Sequence, residues 1–251
     1  TANSGLYQFS AGPSVVFTGD QIGYLVYLDL GNEVVYAKTG DGGATWTAAA
    51  NIGSLRDQSD GQVAVWYDQW TPGDVTGTVI YVVAAGQTDD DLWFNTIDTS
   101  DDSFGVWTKV NTTDGTAYSA AAGSGVAVTK AANGRLFAGI CGTFGAANTL
   151  VLAYSDDGGS SWTQTTPPVG SPVTAAADTL QLLPLVAGND VILIQQDVNV
   201  GTMRYSIWDG AGASWSTPFV TFASWYAQNG NYDYHWGASL WKSTGDIYLV
   251  G

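Results

Sequence analysis

The sequence predicts an all-β chain: a β-propeller of four-stranded antiparallel blades, four of them complete and a fifth partial. Three observations predict it. The first is a string that occurs twice, Thr39-Gly40-Asp41-Gly42-Gly43-Ala44-Thr45-Trp46 and Ser155-Asp156-Asp157-Gly158-Gly159-Ser160-Ser161-Trp162. Both copies fit Ser/Thr-x-Asp-x-Gly-x-x-Trp. The second is a pair of weaker copies in step with them. One is Ser100-Asp101-Asp102-Ser103-Phe104-Gly105-Val106-Trp107, with Phe104 at the glycine place; the other ends at Trp215, with Gly212 at the glycine place and Gly210 at the aspartate place. Trp46, Trp107, Trp162 and Trp215 fall at intervals of 61, 55 and 53 residues, the kind of period a blade array shows. The third is composition. The 251 residues are 45% hydrophobic and 13% aromatic but only 12% charged, with 32 glycines, which suits short strands and tight turns rather than helices. Glu33 is the sole glutamate; Asp favours turns where Glu favours helices.

The repeated string reads as strand, tight turn, strand. Residues 149–154 form an apolar run before the second copy, and residues 163–166 are β-prone after it. Within the turn, Asp and Ser side chains bond nearby backbone groups. The glycines adopt angles that other residues resist. The indole folds back as an apolar plug.

This string resembles the Asp-box, or BNR repeat, of sialidase-like β-propellers, and through its spacing the resemblance covers most of the chain. In that family the boxes are structural turns, found in many proteins without sialidase activity. The resemblance therefore implies a structural role for Thr39, Asp41, Gly43, Trp46, Ser100, Asp102, Trp107, Ser155, Asp157, Gly159, Trp162 and Trp215. The expected member of the family is a non-catalytic one.

Taken in order, the chain divides into units near residues 13–50, 62–111, 125–166 and 180–222, with a partial unit at 237–251, all in a single domain. The first unit has predicted strands at 13–18, 23–28, 33–38 and 46–50. The second has 62–67, 77–84, 92–97 and 107–111. The third has 125–130, 135–140, 149–154 and 162–166. The fourth has 180–185, 190–195, 202–207 and 215–222. The fifth has only 237–242 and 246–250. An open sheet edge leaves backbone groups unpaired. Closure is therefore expected from a longer polypeptide, from an added strand at residues 6–10, or from partner subunits.

Antiparallel strands sort the loops onto two faces. The glycine–tryptophan turns join third strands to fourth and share a face with the loops joining first strands to second. In sialidase-like proteins the binding face is the other one. Here that face would carry residues 51–61, 112–124, 167–178 and 223–236, together with 87–91 and 197–201. Its best polar cluster holds Arg56, Asp57 and Asp60, where the arginine would hold an acidic or hydroxylated sugar and the carboxylates would accept hydroxyl hydrogen bonds. The plainer reading is an Arg–Asp pair bracing a loop. The loop 223–236 places five aromatic rings among amides and a carboxylate. Of these, Trp225, Tyr226, Tyr232 and Tyr234, with His235, are candidate contacts to a glycan or a protein; entry of Tyr234 and Trp236 into the core is the alternative.

A sialidase needs three arginines converging on a carboxylate, a tyrosine nucleophile paired with an acid, and an acid/base carboxylate. The three arginines here are Arg56, Arg135 and Arg204. Their predicted positions do not converge, and Glu33 has no evident tyrosine partner. No catalytic residue is assigned. His235 lacks ligand partners at zinc spacing, and no metal site or cofactor is expected. Asp89, Asp90 and Asp91 offer hard oxygens of the kind calcium takes, against the plainer reading of an acidic turn opposing aggregation. Cys141, alone in the chain, reads as a buried small residue. Residues 66–72 read either as an interface patch or as packing, and Asn111-Thr112-Thr113 is a glycosylation sequon.

The net charge of −16 repels phosphate backbones, so no nucleic-acid partner is expected. No stretch approaches the roughly 20 apolar residues of a membrane helix, so no membrane insertion is expected. The low Lys and Glu content and the Gly/Ala/Thr/Val texture resemble phage and marine surface proteins. The expectation is a propeller outside a cell or on a virion surface, structural or adhesive, touching other subunits and glycans. Sialidase-type glycoside hydrolysis is the alternative.

Overall fold

The computed structural model describes residues 14–29, 33–53, 62–85, 91–111, 125–144, 147–168, 179–186, 188–197, 202–216, 219–224, 237–241 and 243–250. They form five antiparallel sheets, each built from strands consecutive in sequence. The first contains β1 (Val15–Phe17), β2 (Gly23–Leu28), β3 (Val34–Thr39) and β4 (Ala50–Asn51). The second contains β5 (Gln62–Tyr67), β6 (Val79–Ala85), β7 (Leu92–Asp98), β8 (Ser103–Phe104) and β9 (Thr108–Lys109). The third contains β10 (Val126–Lys130), β11 (Leu136–Phe144), β12 (Ala147–Ser155) and β13 (Thr163–Gln164). The fourth contains β14 (Thr179–Pro184), β15 (Val191–Asp197), β16 (Thr202–Asp209), β17 (Ser214–Trp215) and β18 (Val220–Ser224). The fifth is a hairpin of β19 (Gly237–Trp241) and β20 (Asp246–Val250).

The first strands of the sheets pack on one another, β1 and β10 against β5, and β10 and β19 against β14. This is a β-propeller: four blades and a partial fifth, each with its first strand innermost. The burial of the strands follows from their place. β5 and β14 are buried along their whole length, covered on both faces. β2 and β3 alternate between buried and half-buried residues, as strands further out do. Between β5, β10 and β14, beside Ala64, Ala127 and Gln181, the remaining space is about 10 Å³, close to the size of one water.

The fourth position in the blades departs from expectation. In the first blade the predicted strand 46–50 is replaced by β4 at Ala50–Asn51. Thr47 still bonds the third strand: its N–H donates to the Lys38 carbonyl and its Oγ1 accepts from the Lys38 N–H, both at 2.9 Å. In the second and fourth blades one predicted outer strand is two short ones. β8 and β9 both pair with β7, and β17 and β18 both pair with β16. The second-blade break falls at Gly105, whose N–H donates to the Thr96 carbonyl at 3.1 Å. A Cβ there would lie 2.7 Å from Thr96 Oγ1 and 2.8 Å from Asn95 Oδ1.

The Gln181 side chain ties the fifth hairpin to the fourth blade. Gln181 donates from Nε2 to the Ala238 carbonyl and accepts from the Ala238 N–H at Oε1, both at 2.7 Å. Among the described residues no helix is long and apolar enough to cross a membrane.

Candidate functional site

The two full glycine–tryptophan turns have the same internal bonding. Thr39 Oγ1 donates to Asp41 Oδ1 at 2.8 Å, and Ser155 Oγ donates to Asp157 Oδ1 at 2.8 Å. The same hydroxyl oxygens accept from the second glycine of each turn, Gly43 at 2.9 Å and Gly159 at 2.8 Å. Each aspartate then accepts the N–H and hydroxyl four residues on, from Thr45 at 2.8 and 2.6 Å and from Ser161 at 2.9 and 2.6 Å. Both glycines of each pair have positive φ, between 71° and 94°, which a side chain would resist.

These bonds hold the Asp41 and Asp157 carboxyls at about 2, through the hydroxyl and backbone N–H of Thr45 and of Ser161 respectively. The ordinary aspartate value is about 3.9. A depressed folded-state value contributes stability that is fully present above the unfolded value. That contribution is lost as pH falls from about 4 through about 2. Asp157→Asn is therefore expected to lower the urea midpoint at pH 6 and to flatten its fall between pH 5 and pH 2. Parallel pH profiles for the two proteins would contradict the assignment.

The tryptophans that close these turns reach the preceding blade. The Trp107 indole donates to the Gly53 carbonyl at 3.1 Å, and the Trp215 indole donates to Thr165 Oγ1 at 3.1 Å. Trp162 donates to the Gly159 carbonyl of its own turn at 3.1 Å and sets its ring edge against Phe94 of the second blade, centroids 5.1 Å apart. Trp46, in the first blade, is 37% exposed. It packs beside Gly43 on its own turn.

Asp102 departs from this pattern. Its φ is 60° and its carboxylate turns away from its own turn. It accepts from Tyr24 at 2.6 Å and from Lys38 Nζ at 2.8 and 2.9 Å, both in the first blade. Within the turn, Asp101 accepts from Ser103, and Asp98 accepts the N–H and hydroxyl of Ser100. Burial and the bond to Asp102 push the Tyr24 hydroxyl up to about 12. Burial alone would raise Asp102, but Lys38 and Tyr24 hold it below the ordinary range.

A second clamp joins the second and third blades. Asp68, 4% exposed, accepts from Tyr81 at 2.7 Å, from the Val79 N–H at 3.0 Å and from Lys130. Lys130 also donates to Asp74 at 2.9 Å. Burial would lower the Lys130 ammonium, but Asp68 and Asp74 raise it. Burial and the bond to Asp68 push the Tyr81 hydroxyl well above the ordinary tyrosine range. In the third blade, Arg135 bridges both oxygens of Asp156 at 2.6 and 2.9 Å and lies 4.3 Å from the Tyr154 ring centre.

Arg56, Asp57, Asp60, Asp89, Asp90, Trp225, Tyr226, Tyr232, Tyr234 and His235 lie outside the described residues. Asp91 is described, with its carboxylate held by Lys109 at 2.8 Å and by the Asn111 amide at 2.6 Å. Among the described residues no group of three potential metal ligands forms. Asn111 is 2% exposed and also accepts the Leu92 N–H at 2.8 Å. Its sequon therefore sits on an amide held inside the fold. Glu33 accepts from Asn51 at 3.2 Å, next to the start of β3. Cys141 is buried in β11. In the 66–72 segment Trp66 is 5% exposed, donates to Thr71 Oγ1 at 3.0 Å and meets Trp70 edge-on, so these residues serve packing.

A concavity lies between the third and fourth blades, at the outer wall. It is a cleft of about 370 Å³, within the roughly 300–1,000 Å³ of small-ligand sites. It is lined by Tyr154 and residues 163–168 on the third-blade side and by Trp208 and residues 213–215 on the fourth-blade side. Trp208 meets Tyr154 at 5.7 Å, Trp215 at 5.5 Å and Phe137 at 5.4 Å, so the aromatic wall is one packed cluster. Trp208 is 1% exposed, and its indole N–H has no partner. Sequence reasoning singled out Trp215 for a turn. It missed the rest, although the run Thr163-Gln164-Thr165-Thr166-Pro167-Pro168 stands out as uncharged and hydroxyl-rich.

No family model matches the chain. No curated protein matches it in sequence. Solved structures do resemble it in fold. An ulvan lyase of a polysaccharide lyase family, bound to -[GlcA(1-4)Rha3S]-, aligns with a TM-score of 0.53 at 13% identity, over 86% of this chain and 56% of the lyase. The fucose-specific lectin from Aleuria aurantia aligns with a TM-score of 0.55 at 14% identity, over 96% of this chain and 72% of the lectin. A triple arginine-to-alanine mutant of AofleA from Arthrobotrys oligospora aligns with a TM-score of 0.56 at 11% identity, over 94% of this chain and 63% of that one. The chain thus spans little more than half the length of the lyase. At such identities the likeness is one of fold, and it agrees with the sheet topology in defining the class: an all-β propeller.

Proposed function

We propose that this chain is a non-catalytic propeller with a structural and adhesive role, displayed outside a cell or on a virion, where it meets other subunits and contacts glycans. The observation that carries the reading is the use made of its charges. Lys38 with Asp102, Lys130 with Asp68 and Asp74, and Arg135 with Asp156 hold turns and blades together. Tyr24 and Tyr81, buried tyrosines beside an acid, each donate to a carboxylate already shared with a lysine, Asp102 with Lys38 and Asp68 with Lys130. A nucleophilic phenolate needs a lowered hydroxyl value and an accessible oxygen; both of these are raised and buried. The turn geometry around Asp41 and Asp157 fits the structural role that Asp-box resemblance implies. The fold likeness to a fucose-specific lectin supports contact with sugars.

Sialidase-type hydrolysis is the second reading, favoured by the same resemblance and by the presence of three arginines. Arg135 is already engaged by Asp156. Incubation with a fluorogenic sialoside is expected to give no turnover above the enzyme-free rate. Turnover that Arg56→Ala abolishes would replace the adhesive reading with the hydrolytic one.

A further inference from the structure

We infer that the cleft between the third and fourth blades is a binding site for an uncharged saccharide, one that seats an apolar face against Tyr154 and Pro167 and presents hydroxyls to Thr166 and Ser214. The inference rests on the glycan-contact reading and adds to it a place and a ligand class.

Three features of the cleft support it independently of any neighbour in fold. Among the described residues, its lining contains no carboxylate, amine or guanidinium. Arg135, over the Tyr154 ring, is already paired with both oxygens of Asp156, so among the described residues an acidic sugar would meet no unpaired counter-charge there, in a chain whose net charge is −16. Its third-blade side holds the part-exposed Tyr154 and Pro167 beside the exposed Thr166, and its fourth-blade side holds the exposed Ser214, so apolar and hydroxyl groups stand close together. Lastly, Trp208 holds a buried indole N–H with no partner. A buried donor left unpaired destabilises the fold. A hydroxyl seated on the cleft floor, met by a small shift of the Trp208 ring, supplies the acceptor.

The cleft is built to keep its shape. Arg135 stacks on Tyr154 and is itself held by Asp156. Trp215 is pinned to Thr165. Thr165 bonds the Leu152 carbonyl through both its N–H and its hydroxyl. A wall fixed before binding loses little entropy when the ligand arrives.

The test uses the chain as it is. Binding is first surveyed on an array of neutral, sialylated and sulfated glycans, then measured by calorimetry with methyl glycosides of neutral hexoses and of N-acetylneuraminic acid. Neutral glycosides are expected to bind at least about tenfold more tightly than the acidic one, a difference of about 1.4 kcal/mol. Thr166→Trp, at an exposed rim position, is expected to fill the cleft and weaken neutral-glycan binding about tenfold or more with an unchanged melting temperature. Ser214→Trp from the facing rim is expected to do the same. Neutral-glycan binding that both variants leave intact overturns the cleft assignment while sparing the glycan reading. Equal or tighter binding of the acidic glycoside overturns the uncharged class. A blank array for every glycan overturns the glycan reading and this inference together.

Discussion

Gly159→Ala is expected to cost about 3 kcal/mol or more, the sum of an overpacking penalty and a backbone penalty. The position has φ of +92°, where an L side chain is strained. An added Cβ would also run into the Phe94 ring. That ring cannot simply step aside. It is 3% exposed, stacked on Tyr81 at 6.1 Å and in edge contact with Trp162 at 5.1 Å. The neighbouring glycine provides the control. Gly158 has φ of +71° and nothing within 4 Å of the same added atom. Gly158→Ala should therefore show the backbone penalty alone, about 1 kcal/mol. Urea denaturation of the two variants measures the difference, which is the blade-to-blade contact. A Phe94→Leu change should recover part of the Gly159→Ala loss. Equal losses at the two glycines would show that the turn does not lean on the second blade.

Asp68→Ala is the second large effect, expected at about 3–5 kcal/mol, the range for breaking a buried ion pair by removing one partner. Asp68 serves three donors at once: the Tyr81 hydroxyl, the Val79 N–H and the Lys130 ammonium. Its side chain is 6% exposed and that of Lys130 16%, so water replaces little of what is lost. Asp74 still reaches Lys130, which limits the cost below that of a wholly stranded cation. Asp68→Asn should cost less, because the amide oxygen keeps one acceptor in place while the charge goes. Thermal denaturation of the three proteins at neutral pH orders them as wild type, Asn, Ala. An Asp68→Ala protein as stable as wild type would mean the clamp does not hold the second and third blades together.

Both predictions concern contacts between blades, and both depend on side chains far apart in sequence. This separates what could be read from the chain and what could not. The turns at Asp41 and Asp157 were legible because their bonds close within four residues. The strands were legible where alternation or continuous apolar runs marked them: β2, β5 and β20 have the expected bounds, and β19 differs by one residue. The outer strands were less legible. At two or five residues each, they carry too few side chains for a pattern. By position Asp102 belongs to its own turn, while its partners Tyr24 and Lys38 lie 78 and 64 residues away.

The cleft is the clearest case. Trp208 and Tyr154 are 54 residues apart, each unremarkable in its own strand. Only the angle between two neighbouring blades brings them together and leaves an uncharged gap beside them. The chain's own residues determined a repeating local unit, because turn hydrogen bonds, positive-φ glycines and strand alternation act over a few residues and need no neighbour. The tertiary structure decided which blade each tryptophan covers, which charges become clamps and where a cleft stays open, because those depend on how wedge-shaped sheets meet about an axis, and no single repeat contains that information.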